Sequence, residues 1–257
     1  MSDRRRVFLL VMIMLIVALV VTGVSITLLY RAAFNEEKDR LVEAAQSQAR
    51  LIESVARFAT IYSKEYLGGP LAATLDQISD AHANYSGFGQ TGEFTLARRE
   101  DDLIVFLLRH RHFDTDLPQP VPFSSELAEP MRRALSGQSG TVVGLDYRGE
   151  TVLAAYEPVA ELNMGIVAKI DLVEIQAPFI RAGIIAGVVT LLVVILGALL
   201  FLRITEPLLQ NIRENEERLR SFMEAATESF FLFDKGLNYL LVNKIGMGFF
   251  PPETRPE

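Results

Sequence analysis

The sequence predicts an α+β protein with two transmembrane helices flanking one folded domain. Two apolar runs, residues 7–30 and 182–202, contain no Asp, Glu, Lys or Arg. Between them, residues 31–181 begin with one long helical pattern and continue with short runs rich in β-branched and aromatic residues. This order predicts a long N-terminal helix and a five-stranded antiparallel sheet, framed by the two membrane spans.

Each apolar run is long enough to cross a bilayer, because a helix rises about 1.5 Å per residue and the hydrocarbon core is about 30 Å thick. A cleaved secretory signal is the alternative for the first run, but the apolar region of such signals has only about 7–15 residues. We therefore expect a retained anchor. Arg4, Arg5 and Arg6 place the N-terminus, residues 1–6, in the cytoplasm by the positive-inside rule. Residues 31–181 then lie outside, the chain returns inside from residue 203, and the inner membrane of a bacterium is the expected location.

The composition narrows the classes of partner and chemistry. The chain has 257 residues, a net charge of −7 and no cysteine. An acidic chain lacks the excess positive charge that binds phosphate backbones, so a nucleic-acid partner is not expected. Without cysteine there is no disulfide and no thiolate nucleophile or ligand, and no motif indicates a cofactor.

A stripe of mostly apolar residues continues from the first apolar run at alternating steps of four and three, which predicts one long helix. Its members are Phe34, Lys38, Leu41, Ala45, Gln48, Ile52, Val55, Ala59 and Tyr62. The sequence Gly68-Gly69-Pro70 should end this helix, and a weaker helical pattern follows over residues 71–83. The stripe suits packing on its own domain and, near the membrane, on a second copy, so we expect a homodimer.

Strand patterns begin after the turn-rich residues 86–92. The predicted strands are Glu93–Ala97, Leu103–His110, Thr141–Asp146, Thr151–Glu157 and Ile166–Ile170. A proline-rich loop, residues 117–123, and a short helix ending near Leu135 separate the second strand from the third. Pro130 must lie near the first turn of that helix or kink it, and Asp171 is placed to cap the helix that leads into the second span.

Residues 89–170 resemble the extracytoplasmic Cache, or PAS-like, domain of bacterial sensor kinases and related receptors. The resemblance is carried by Gly92-Glu-Phe-Thr-Leu, the apolar run 103–108, Ser139-Gly-Thr-Val-Val-Gly-Leu-Asp-Tyr-Arg-Gly and Gly165-Ile-Val-Ala-Lys-Ile-Asp. It implies a domain that binds a small molecule, often an organic acid or amino acid, in a pocket on the sheet. It also implies signalling through a two-component system, with a response regulator as a downstream partner.

The residues after the second span divide into two parts. Residues 203–221 continue a four-three apolar spacing and predict a signalling helix. Residues 222–257 resemble the start of a cytoplasmic PAS domain, with strands ending at Asp234 and Asn243 around a turn at Gly236. This unit is too short for a whole PAS domain, so we expect either the front part of a longer receptor or a shortened relative. No catalytic motif occurs in the chain, and a histidine kinase or cyclase output would lie beyond residue 257.

Five residues are candidates for ligand binding. Arg109, His110 and Arg111 offer donors for a carboxylate, while a solvated surface is the competing interpretation and a metal site with nearby aspartates is a weaker one. Tyr147 and Tyr156 flank the late hairpin and suit either a pocket wall or a packing pair. We expect no catalytic residue and no metal ligand.

Gly183 and Gly187 in the second span form a small-xxx-small pair, which favours a transmembrane helix contact in a dimer. Together these patterns predict the sensory input and transmembrane signalling module of a bacterial receptor, which binds a small, possibly anionic ligand outside. The alternative is a membrane-anchored interaction protein whose outer domain docks another envelope protein.

Overall fold

The computed structural model describes residues 3–83, 85, 87–108 and 119–249. Its α-helices are α1 Asp3–Tyr62, α2 Gly69–Ala83, α3 Glu129–Leu135 and α4 Leu172–Ala225, with short 3-10 turns at Ala160–Leu162 and Gly246–Phe249. The chain divides into two compact units, one of residues 16–188 and one of residues 1–15 with 189–257.

The sheet of the first unit has six strands in the described part of the chain, one more than the sequence predicts. The strands are β1 Glu93–Glu100, β2 Leu103–Phe106, β3 Val121–Pro122, β4 Gly140–Leu145, β5 Thr151–Val159 and β6 Met164–Asp171. They are antiparallel and lie in the order β3-β2-β1-β6-β5-β4. The extra strand, β3, comes from the predicted proline-rich loop: it is only two residues long and lies at the edge, where a proline without an N–H is tolerated.

The two faces of the sheet carry separate cores, because side chains alternate along each strand. One face packs against α1 and the first turn of α4; its residues include Leu96, Leu153, Ile166, Ala168 and Ile170. The other face packs against α3; its residues include Ala97, Phe106, Val152, Tyr156 and Val167. The sheet is therefore covered on both faces.

Helix α1 buries a slightly different stripe from the predicted one. Leu41, Ala45, Ile52 and Ala59 are buried as predicted, but Tyr62 is 71% exposed. Ala49 and Ala56 take the remaining buried positions. The face of α1 that packs on the sheet therefore passes through Ala49 and Ala56 instead of Gln48 and Val55, which are only half-buried.

Helix α3 sits close to the sheet at Gly165 on β6. A Cβ added at Gly165 would lie 2.8 Å from the Ala134 Cβ and 3.1 Å from the Met131 Sδ, both on α3. The helix matches its prediction: Pro130 is in its first turn and Ser136 precedes Gly137, which has a φ of 77°. Glycine at position 165 therefore sets how near α3 approaches β6.

In the described part of the chain, two segments are long and apolar enough to cross a membrane: Phe8–Tyr62 within α1, and Leu172–Phe201 within α4. Their most apolar stretches have no buried residues. This agrees with the two predicted spans by length and composition.

The second unit contains a β-hairpin of β7 Phe231–Phe233 and β8 Tyr239–Val242, close to the two strands predicted there. Asn243 is buried behind this hairpin, and its side chain makes four hydrogen bonds. Its side-chain oxygen accepts hydrogen bonds from the N–H of Phe230 and of Gly246, and its amide donates to the carbonyls of Met223 and Glu228. This one side chain joins the hairpin to the last turn of α4.

We predict that Gly165→Ala lowers the free energy of unfolding by about 1–3 kcal/mol, because the added methyl group pushes α3 away from the sheet. Chemical denaturation of the detergent-solubilised chain, followed by near-UV circular dichroism of its buried tyrosines, measures this change. Gly144→Ala is the matched control, since the atom it meets first is the end of the flexible Glu129 side chain. Equal losses in the two variants would contradict the close-approach role of Gly165.

Candidate functional site: a buried charge cluster beside the start of α4

Three of the predicted ligand-binding residues, Arg109, His110 and Arg111, lie outside the described residues. Tyr147 and Tyr156 both lie within the core beneath α3. The Cβ position of Gly183 is 3.6 Å from Ile26 Cδ1 of the same chain, while Gly187 meets nothing within 4 Å.

A cluster of buried charges lies on the α3 face of the sheet. We call it the Lys169 cluster; its members are Glu93, Asp146, Tyr147, Arg148, Lys169 and Asp171. Lys169 is on β6 directly opposite Glu93 on β1, so the ladder register alone brings the two together. Lys169 Nζ lies 2.9 Å from Glu93 Oε1 and 2.5 Å from Asp146 Oδ2. All three side chains are at most 3% exposed.

The turn between β4 and β5 supplies the rest of the cluster. Asp146 Oδ1 accepts hydrogen bonds from the backbone N–H of Arg148 and of Glu150, which fixes the shape of this turn. The Arg148 guanidinium donates to Asp146 Oδ2 at 2.7 Å and to Asp171 Oδ1 at 2.5 Å. Asp171, predicted as a helix cap, therefore pairs with Arg148 at the point where β6 meets α4.

The protonation states follow from these contacts. Burial by itself raises the pKa of the Asp146 carboxyl, but the charges and hydrogen bonds of Lys169 and Arg148 outweigh it and hold that pKa below its ordinary value. Burial and the neighbouring Glu93 raise the pKa of Tyr147, so its hydroxyl stays protonated and donates to Glu93 Oε1 at 2.7 Å. The Tyr147 ring also lies 4.4 Å from Lys169 Nζ, a cation–π contact.

The Lys169 cluster has little free space of its own. The gap beside Lys169, Tyr147 and Thr95 measures about 10 Å³, roughly the size of one water molecule. Its charges are also satisfied by one another. The geometry therefore suits the cluster to holding β1, β6 and the β4–β5 turn in one arrangement.

A second polar contact lies beside the cluster, on the first turn of α4. The Glu174 carboxylate accepts hydrogen bonds from the backbone N–H of Gln90 at 2.7 Å and of Thr91 at 2.8 Å, and from the Thr91 hydroxyl at 2.6 Å. The Thr91 hydroxyl in turn accepts the N–H of Asp171 at 3.0 Å. We call this contact the Glu174 latch. Gly89 makes room for it: an ideal Cβ there would overlap the Glu174 carboxylate.

The opposite face of the sheet has a larger cavity, of about 210 Å³, between α1, α2 and strands β1 and β6. An aromatic row lies along it: the ring centroids of His82 and Tyr85 are 5.9 Å apart, and those of Tyr85 and Phe94 are 5.4 Å apart. Phe88 continues the row, 5.5 Å beyond Phe94. The buried charges therefore lie on one face of the sheet, and the cavity lies on the other.

No group of three or more His, Cys, Asp or Glu side chains in the described part of the chain is arranged to hold a metal ion. The comparisons with known protein families, with curated proteins and with solved structures find no match to this chain.

Sequence reasoning missed most of the Lys169 cluster and the Glu174 latch. A usable signal was present in the run Gly165-Ile-Val-Ala-Lys-Ile-Asp, where a lysine interrupts an otherwise apolar strand. A lysine at an inward position of a covered sheet requires a buried partner. Identifying Glu93 and Asp146 as those partners needed the strand register, which the sequence did not provide.

We predict that Lys169→Met lowers the free energy of unfolding by about 3–5 kcal/mol, because it removes the ammonium group that two buried carboxylates share. The same denaturation assay measures it. Arg98→Met is the matched control: Arg98 pairs with Glu100 on β1, but both side chains are 40% or more exposed, and such pairs contribute about 0–1 kcal/mol. If the two variants lost the same stability, Lys169 would not be holding the cluster together.

We predict that the domain loses stability as the pH falls below about 4, the pKa of an aspartate in an unfolded chain. The folded-state pKa of Asp146 is lower than this value, so the folded state binds fewer protons and its advantage is lost on acidification through that range. Asp146→Asn should be less stable at pH 7 and lose less on acidification. Thermal unfolding from pH 7 to pH 3 measures both effects, with Asp101→Asn in the exposed β1–β2 turn as control. An unchanged acid profile for Asp146→Asn would contradict the assignment.

Proposed function

We propose that this chain is the sensory input and transmembrane signalling module of a bacterial receptor. In this proposal residues 31–181 form a Cache-type, PAS-like domain outside the inner membrane, and both termini lie in the cytoplasm. The receptor works as a homodimer, residues 222–257 begin a cytoplasmic PAS unit, and the output is that of a sensor histidine kinase acting on a response regulator. The fold class and the two apolar helices are compatible with this assignment.

The observation that carries the proposal is the junction of β6 and α4. Strand β6 ends at Asp171 and α4 begins at Leu172, so no loop separates the sheet from the helix that contains the second candidate span. Three residues bond this junction to neighbouring segments. Lys169 pairs with β1, Asp171 pairs with the β4–β5 turn, and Glu174 accepts hydrogen bonds from the turn before β1. A shift of any of these segments acts directly on the start of α4.

The proposed mechanism is a two-state equilibrium of the outer domain. A ligand that binds one arrangement of the sheet more tightly shifts the population toward it, and the start of α4 moves with the sheet. The Glu174 latch is the contact best placed to couple the two, because one carboxylate on α4 receives three hydrogen bonds from residues 90 and 91. Weakening this contact should change the population without removing any core side chain.

We predict that Glu174→Gln changes the behaviour of the cytoplasmic part of α4. A chain without cysteine allows a single Leu219→Cys substitution, at an exposed position of the predicted signalling helix, to report on the approach of two copies by disulfide formation in membranes. We expect Glu174→Gln to change the cross-linking rate by about tenfold or more, because a hydrogen bond to a charged group contributes about 1.5–3 kcal/mol.

The matched control is Glu161→Gln, which breaks an exposed ion pair between Arg57 on α1 and Glu161 and should leave the rate unchanged. A Leu219→Cys chain that forms no cross-link would argue against the dimer. Cross-linking at the same rate with and without Glu174→Gln would argue against transmission through the latch.

A further inference from the structure

The cavity between α1, α2 and the sheet opens to the surface, since Leu51 and Tyr85 in its lining are 55% and 40% exposed. Its volume is about 210 Å³. Its lining residues are Gln48, Leu51, Ile52, Val55, Gln77, Ile78, Ala81, His82, Tyr85, Phe94, Leu108 and Ile166. This space belongs to the opposite face of the sheet from the Lys169 cluster.

The lining favours an uncharged ligand. None of the described residues that line the cavity is Lys, Arg, Asp or Glu. A carboxylate or ammonium group buried against this lining would lose hydration without gaining an opposite charge among these residues, which is unfavourable. The sequence predicts a possibly anionic ligand, and its candidate donors Arg109, His110 and Arg111 lie outside the described residues.

The lining also favours a flat ring. His82, Tyr85 and Phe94 present an aromatic wall, and rings gain from stacked and edge-to-face contacts at such centroid distances. Gln48 and Gln77 add side-chain amides that can bond one polar group of a ligand.

The size of the space limits the occupant. An apolar cavity of about 150 Å³ is enough to bind benzene, so about 210 Å³ admits one ring with a substituent or two fused rings. A helix of a partner protein is far too large for it.

We propose that this cavity is a binding site for a small uncharged aromatic molecule of one or two rings. Such a ligand touches Val55 and Leu51 on α1 and Ile166 on β6, and therefore contacts both elements that lead toward the candidate spans. This inference deepens the receptor function proposed above and rests on it for its signalling role. Binding itself is measured independently of signalling.

Indole is a suitable test ligand, because the chain contains no tryptophan and the emission of bound indole is not masked by the protein. The full chain is reconstituted in lipid nanodiscs and titrated with indole, with empty nanodiscs as the reference for partition into lipid. We expect saturable binding with blue-shifted emission, displaced by toluene and at least about tenfold less well by the charged analogue benzoate.

A pair of alanine substitutions on α2 locates the binding. Ala81→Phe fills the cavity from α2 and should weaken indole binding by at least about tenfold, while Ala83→Phe, two residues away and outside the lining, should leave it unchanged. If Ala81→Phe alters the near-UV circular dichroism of the unliganded chain, Val55→Phe fills the same space from α1 and takes its place.

Four results would overturn the proposal. The first is a signal no greater than that of empty nanodiscs, and the second is equal binding of indole by the Ala81→Phe and Ala83→Phe chains. The third is displacement of indole by benzoate as effective as by toluene. The fourth is indole binding that disappears as the number of chains per nanodisc rises. The fourth result would indicate that a second copy of the chain occupies the cavity. None of them bears on the Glu174 latch, whose test uses no ligand, so the failure of either proposal is recognised separately.

Discussion

The structure of the sheet domain depends on one constraint: the ammonium group of Lys169 is buried and must be paired. Lys169 Nζ lies within ion-pair distance of Glu93 and of Asp146, and all three are almost completely shielded from water. Each carboxylate comes from a different segment, so satisfying this one cation fixes β1 and the β4–β5 turn relative to β6. A buried pair of this kind adds little net stability over apolar packing, but breaking it costs several kcal/mol. It therefore selects one arrangement of the sheet rather than merely strengthening it.

The same constraint reaches α4 because the cluster lies at the end of β6. Arg148 connects Asp146 to Asp171, and the Thr91 hydroxyl connects the N–H of Asp171 to the Glu174 carboxylate. These bonds form one continuous polar path from the centre of the sheet to the first turn of the helix. Since a buried polar network with unpaired members is costly, its members are expected to move together or not at all. That property is what a two-state relay requires.

In our proposals the two faces of the sheet have different roles. The α3 face holds the charges, with space for about one water molecule, and the α1 face holds a cavity about twenty times larger. Strand β6 contributes Lys169 to one face and Ile166 to the other, since inward and outward positions alternate along a strand. An occupant of the cavity would therefore act on the same strand that the charge cluster holds.

The sequence by itself determined the elements whose signals are local. The apolar runs predicted the two long helices, and the strand and turn patterns predicted five of the six strands and the place of α3. Tertiary structure decided everything that depends on which distant residues meet. The partner of Lys169 follows from the β1–β6 register, and Glu174 reaches Thr91 across 83 residues of chain. Strand β3 exists only because β2 offers it a ladder edge, and the burial of Ala56 instead of Val55 depends on which face of α1 packs on the sheet. Local propensities fix the period and length of an element, whereas charge pairing and cavities arise only when the faces of separate elements are brought together.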